Sequence, residues 1–135
     1  MADPASILAF VLAGLKSAKI AHDVLSSFND APERVRRATV DVKRLRSTLE
    51  RLSNSRAFEG LSGQILTEPM KACVDDLDDF ARKLTRLTLE PQSSRRKKYW
   101  KRLMAMWDEK ALSEMSDRVA NHTAELNLCL NLLQR

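Results

Sequence analysis

The chain has 135 residues, 44% of them hydrophobic and 30% charged, with three Gly, four Pro and two Cys. That length supplies a core for one domain of ordinary size, and the composition argues against a disordered chain, a turn-rich β fold or a disulfide-stapled miniprotein. The excess of 23 Lys and Arg over 18 Asp and Glu gives a net charge of +5, which favours contact with anionic surfaces such as lipid headgroups, acidic proteins or nucleic acid.

Asp3 as a cap and Pro4 at the first helical position predict a first helix that runs to about Phe28, where Asn29-Asp30-Ala31-Pro32 breaks it. Ile7, Val11, Leu15, Ala18, Ala21, Leu25 and Phe28 form one stripe, while Leu8, Phe10 and Leu12 make the first half apolar all round. Such a segment needs burial on every side, as a central helix wrapped by the others, or insertion into something else. Lys16 and Lys19 interrupt it well short of the roughly 20 apolar residues of a transmembrane helix. The start Met-Ala-Asp-Pro lacks the basic region of a secretory leader, so a cytoplasmic protein is expected.

A second helix is predicted from Pro32, because Val35, Ala38, Val42, Leu45, Leu49 and Leu52 alternate three and four residues apart and keep one seam towards a neighbour. Its other positions carry Arg34, Arg36, Arg37, Lys43, Arg44, Arg46 and Arg51 against Glu33, Asp41 and Glu50, a strongly basic face. Ser53 to Gly63 reads as a loop. Thr67 and Pro69 open a third helix with the seam Met70, Cys73, Leu77, Phe80, Leu84 and Leu87. Its exposed face holds Asp75, Asp76, Asp78 and Asp79, which either pair with the basic face of the second helix or face water. Pro91 ends it.

The segment from Arg95 to Trp107 opens with Arg95, Arg96, Lys97 and Lys98 and continues with Tyr99, Trp100, Lys101 and Arg102. Cations interleaved with amphipathic rings suit a membrane interface, where phosphates meet the charges and the rings sit at headgroup depth. A solvated loop with its two aromatics tucked into the bundle is the plainer reading. Asp108 caps a last helix with the seam Leu112, Met115, Val119, His122, Leu126, Cys129 and Leu133. The apolar pattern continues to the last residues, which leads us to expect residues 1–135 to be the N-terminal domain of a longer protein.

Helices with one apolar seam each bury it by packing together, so the expected fold is all-α, an up-and-down bundle of four or five helices. Cys73 and Cys129 fall at seam positions and read as reduced core residues. His22 and His122 sit on separate helices with no cysteine or carboxylate spacing that suggests a site, so no catalytic residues are expected. The Asp75 to Asp79 cluster lacks the Glu-x-x-His partners of a carboxylate-bridged metal bundle and the glycine of a calcium loop, and no glycine-rich phosphate loop is present. Neither a metal nor any other cofactor is therefore expected. Nucleic acid is disfavoured as a partner, because no helix-turn-helix, zinc or β-platform pattern accompanies the charge.

The opening Met1-Ala-Asp-Pro-Ala-Ser-Ile7, the small and apolar residues through Gly14-Leu15, the stretch Trp107-Asp-Glu-Lys-Ala-Leu-Ser-Glu-Met-Ser-Asp-Arg118 and Ala124-Glu-Leu-Asn-Leu-Cys-Leu-Asn-Leu-Leu133 resemble fungal HeLo-like domains. These are amino-terminal domains of fungal NOD-like receptors and of ankyrin-repeat and other multidomain proteins. The resemblance covers nearly the whole chain and implies a helical bundle related in architecture to the HeLo domain and to the bundle of the necroptosis pseudokinase. It further implies a cell-death effector of fungal innate immunity or heterokaryon incompatibility, which forms homo-oligomers on activation, relocates from the cytoplasm to the plasma membrane and permeabilises it. The inserting element would be the first helix, through Ile7, Leu8, Phe10, Val11, Leu12 and Leu15, with Arg95 to Arg102 on anionic phospholipid. This helix departs from the glycine-rich versions in the family, having Gly14 alone. The alternative is a signalling adaptor whose bundle self-associates or binds a partner signalling protein without touching lipid.

Overall fold

The computed structural model describes residues 4–27, 32–54, 66–88 and 109–133. Among these the chain is all-helical: α1 (Pro4–Ser26), α2 (Glu33–Asn54), α3 (Thr67–Thr88) and α4 (Glu109–Leu133). The predicted caps Asp3 and Asp108, the side chains of Phe28, Leu87 and Leu133, and the whole segment from Arg95 to Trp107 lie outside the described residues.

Local hydrogen bonds mark the end of α1 and both ends of α2. The Pro32 carbonyl accepts the first α2 bonds, from the Val35 and Arg36 amides at 3.0 and 3.2 Å. At the end of α1 the hydroxyls of Ser26 and Ser27 donate to the carbonyls of His22 and Val24, at 2.5 and 2.6 Å, and the Ser27 amide closes a tighter last turn on the same Val24 carbonyl at 3.2 Å. The Ser53 hydroxyl does the same for Glu50 at 2.8 Å, and α2 continues through Ser53 and Asn54, two residues into the predicted loop.

The seams read from the sequence are the core. Val35, Ala38, Val42, Leu45, Leu49 and Leu52 of α2 are all buried, as are Met70, Cys73, Leu77, Phe80 and Leu84 of α3 and Leu112, Met115, Val119, Leu126 and Cys129 of α4. In α1 the seam passes through Ile7, Val11, Gly14, Ala18, Ala21 and Leu25. Leu15, assigned to it from the sequence, sits half-buried at the edge instead. The reason is steric: a Cβ on Gly14 would lie 3.4 Å from Leu49 Cδ1 and 3.5 Å from Val74 Cγ2, so the closest approach of α1 to α2 and α3 falls at the residue without a side chain. Those separations still admit a methyl group. Gly14→Ala is therefore expected to stabilise the domain by about 0.5–1 kcal/mol through helix propensity, whereas Gly14→Leu unfolds it. A loss of stability in Gly14→Ala on urea denaturation would refute this.

α1 packs on α2 and α3, and α4 packs on the same two, so α1 faces α4 across one diagonal and α2 faces α3 across the other. Asp41 meets Ser116 and, further along both helices, Thr48 meets Asn127, so α2 and α4 run the same way. Val74 lies beside Gly14, and Ala81 and Thr85 border the same groove as Ser17 and Ile20. Hence α1 and α3 also run the same way, and the direction alternates along the chain as predicted. The chain crosses a diagonal between α2 and α3.

This arrangement changes two expectations. The α3 aspartates cannot reach the basic face of α2. Asp78 and Asp79 pair instead with Arg82 and Lys83 one turn on, at 3.5 and 3.0 Å, and Asp76 turns to α4. Nor is α1 wrapped by the other helices: it is one wall of the bundle, and its outward side carries Leu12 at 52% exposure and Ile20 at 36%. Polar bridges tie α4 to α2 and to α3. The hydrogen bonds of Ser26 and Ser27 stay within the last turns of α1, and its buried contacts with α2 and α3 are apolar.

Candidate functional site

On the α1–α3 side lies a groove of about 400 Å³. Lys16, Ser17 and Ile20 form one wall, and Ala81, Arg82 and Arg86 the other. The helical repeat sets this composition. Leu12, Lys16 and Ile20 are four residues apart and so stack on consecutive turns of one outward stripe, with Lys19 alongside. On α3, Arg82 and Arg86 share a stripe for the same reason. Arg82 is held by Asp78 at 3.5 Å, while Lys16, Lys19 and Arg86 have no ionic partner among the described residues. The result is an aliphatic strip flanked by uncompensated cations.

The structure separates the six α1 residues singled out in the sequence. Ile7 and Val11 are buried in the core, and Leu8, Phe10 and Leu15 are partly buried against it. Leu12 alone joins the exposed strip. Lys16, Lys19 and Ile20 follow Leu12 at helical spacing and were missed as site residues, and Arg86 joins them only when α3 is laid alongside α1. The eight residues of the basic aromatic segment, Arg95, Arg96, Lys97, Lys98, Tyr99, Trp100, Lys101 and Arg102, lie outside the described residues.

Two groups that looked unrelated in the sequence meet between α3 and α4. His122 Nε2 lies 2.6 Å from Asp76 Oδ2, with Arg118 4.0 Å from the other carboxylate oxygen. Spacing along the chain gave no sign of this pairing, because the two residues are 46 positions apart. Cys73, one turn before Asp76, is a free, buried thiol. Burial pushes its pKa from 9.0 up to about 12, and the Asp76 and Glu125 carboxylates add in the same direction. Cys129 is raised as well, by burial first and by Glu125 second. A thiol held protonated at neutral pH is a poor nucleophile, and the His122–Asp76 pair joins α3 to α4. Among the described residues, no three His, Cys, Asp or Glu side chains converge on a metal position.

The raised thiol has a consequence for stability. An unfolded Cys73 ionises near pH 9.0 and the folded one near 12, so its contribution is complete below pH 9 and is lost as the pH climbs towards 12. One such group steepens the loss by up to roughly 1.4 kcal/mol per pH unit. Urea unfolding at pH 8 and pH 10.5 is expected to show a smaller drop for Cys73→Val than for the parent; equal drops would refute the assignment.

Residues 2–134 match the family model described as the N-terminal domain of pigment biosynthesis cluster protein PigL. The chain belongs to the PigL N-terminal family. No curated protein and no solved structure matches the chain. Membership of the PigL N-terminal family, together with the all-helical fold, is compatible with the HeLo-like resemblance.

Proposed function

We propose that the domain is a HeLo-like cell-death effector, clustered by attached receptor domains, that engages the anionic inner face of the plasma membrane through α1. The observation that carries this reading is the outward strip of α1, where Leu12 and Ile20 stand exposed among Lys16, Lys19 and Arg86. Cations near an anionic surface contribute roughly 1 kcal/mol each, and each aliphatic CH₂ buried at the acyl boundary about 0.8 kcal/mol. For one copy these few terms amount to affinity in about the millimolar range. Clustering then converts weak contacts into firm attachment by avidity, which is why oligomerisation belongs to the mechanism.

Insertion is a later step. Ile7 and Val11 are committed to the core, so they reach lipid only if α1 leaves the bundle and exchanges protein contacts for bilayer contacts. The buried contacts that hold α1 are apolar, with Ile7, Val11, Ala18, Ala21 and Leu25 at their centre, and a bilayer can replace apolar contacts, which favours α1 as the departing element. No helix among the described residues is long and apolar enough to cross a membrane. In this reading α1 therefore lies in the interface plane, and several copies together permeabilise the bilayer. The basic aromatic segment from Arg95 to Arg102 supplies further headgroup contacts. The module binds and assembles and carries no reaction of its own.

An adaptor without lipid contact is the second reading, favoured by α4. Ala120, Ala124, Leu128 and Leu132 recur every four residues on its outward side, with Leu128 at 61% exposure and Leu132 at 50%. Such a stripe suits a partner helix. The deciding measurement is flotation and dye leakage with phosphatidylserine-containing and pure phosphatidylcholine vesicles, using the domain alone and fused to a clustering scaffold. Binding and leakage confined to anionic vesicles and enhanced by clustering are expected. Indifference to both vesicle types in the clustered form would leave the adaptor reading.

A further inference from the structure

The opposite side of the bundle, between α2 and α4, carries a second groove, of about 510 Å³, with different chemistry. α2 is dense in cations, and several are already engaged. Arg37 lies 3.9 Å from Asp117, Arg46 lies 3.2 Å from Glu50, and Arg51 donates to Asn127 Oδ1 at 3.2 Å. Lys43 and Arg44 are exposed, have no ionic partner among the described residues, and both border this groove. Ser47, Thr48 and Asn127 border it as well, with Val40 as an apolar wall, and no carboxylate is among its described lining residues. Asp41, the nearest acid along α2, is buried and accepts the Ser116 hydroxyl at 2.5 Å.

The orientation of Asn127 adds a donor. An arginine can only donate, so the atom that Arg51 meets at 3.2 Å and that Thr48 Oγ1 approaches at 3.5 Å is the amide oxygen. The other end of the amide, Nδ2, is a donor, and Asn127 borders the groove. One ammonium, one guanidinium, the Ser47 hydroxyl and an amide N–H₂ thus border one groove with no carboxylate among its described lining residues, a set of donors that suits a tetrahedral oxyanion.

We propose that this groove is a binding site for a phosphate-bearing anion. Its volume exceeds what a lone phosphate occupies and leaves room for an organic body against Val40. Because the α1–α3 strip and this groove lie on opposite sides of the bundle, one flat bilayer cannot meet both. A soluble phosphate ester is therefore the expected source when the strip is docked, and a lipid headgroup is the other source of the same chemistry.

The test titrates the whole chain with pyrophosphate against sodium chloride of matched ionic strength, following amide and side-chain NMR shifts. Saturable shifts at Ser47, Thr123 and Asn127 are expected, weakened at least tenfold in the double variant Lys43→Gln, Arg44→Gln and unchanged in Lys71→Gln, an exposed lysine on α3. Thermal melts of the variants establish that they are folded. Shifts that chloride reproduces, or wild-type binding in the double variant, would overturn the proposal. A competition arm separates the sources: displacement of pyrophosphate by phosphatidic acid vesicles and not by phosphatidylcholine vesicles assigns the phosphate to a headgroup, and persistence with both assigns it to a soluble ester. Because the groove residues are not those of the α1 strip, this experiment and the vesicle leakage assay can fail independently.

Discussion

Replacing Leu12 and Ile20 together with Glu is expected to weaken binding to phosphatidylserine vesicles on the order of a hundredfold while leaving the domain folded. Both side chains already face water in the isolated bundle, so their loss removes no core contact, and surface changes of this kind shift stability by about 0.5 kcal/mol. The membrane sees something larger: two aliphatic contacts vanish, and two negative charges appear beside Lys16 and Lys19 on a surface that must approach anionic lipid. Val11→Glu makes the contrast. It lies one residue from Leu12 but in the core, and a buried carboxylate without a partner unfolds the bundle. Vesicle flotation and thermal melting, run in parallel on both proteins, separate docking from folding. Unaltered flotation of the folded Leu12→Glu, Ile20→Glu variant would remove the α1 strip from the mechanism.

The second large effect is on stability. Leu49→Ala is expected to cost about 2–5 kcal/mol and to lower the melting temperature by roughly 6–15 °C. Leu49 is fully buried on α2, and it is the side chain against which the bare backbone of Gly14 is laid. Truncating it opens a cavity between α1 and α2 that neither helix can collapse into, because α1 is also seated on Val74 of α3. A loss under about 1 kcal/mol in urea unfolding would mean that α1 re-seats freely, and the tight approach at Gly14 would then have no structural importance.

The seams of α2, α3 and α4 were legible because a residue that recurs at three and four positions is forced onto one side of a helix, whatever the tertiary fold. α1 was harder. Its early residues are apolar in every direction, so periodicity alone could not choose between Leu15 and Gly14, and the choice was made by side-chain size at the contact with Leu49 and Val74. Pairings between helices were not legible at all. The α3 aspartates lie opposite the α2 arginines in composition but across a diagonal in space, and Asp76 meets His122 across 46 positions of chain. The α1 strip was half legible: Leu12 stood out as apolar and Lys16 and Lys19 as interruptions of the apolar run, while Arg86 comes from a helix some 70 residues further on.

The manner in which α1 is held has a consequence for temperature. α2 and α4 share directional bridges, Asp41 to Ser116 and Thr48 and Arg51 to Asn127, whereas α1 is attached by apolar contacts with Ile7, Val11, Ala18, Ala21 and Leu25 at their centre. Hydrophobic attraction weakens on cooling. Chilling therefore loosens α1 before it loosens the α2–α4 pair, so that in the cold the first helix stands ajar from α2, α3 and α4.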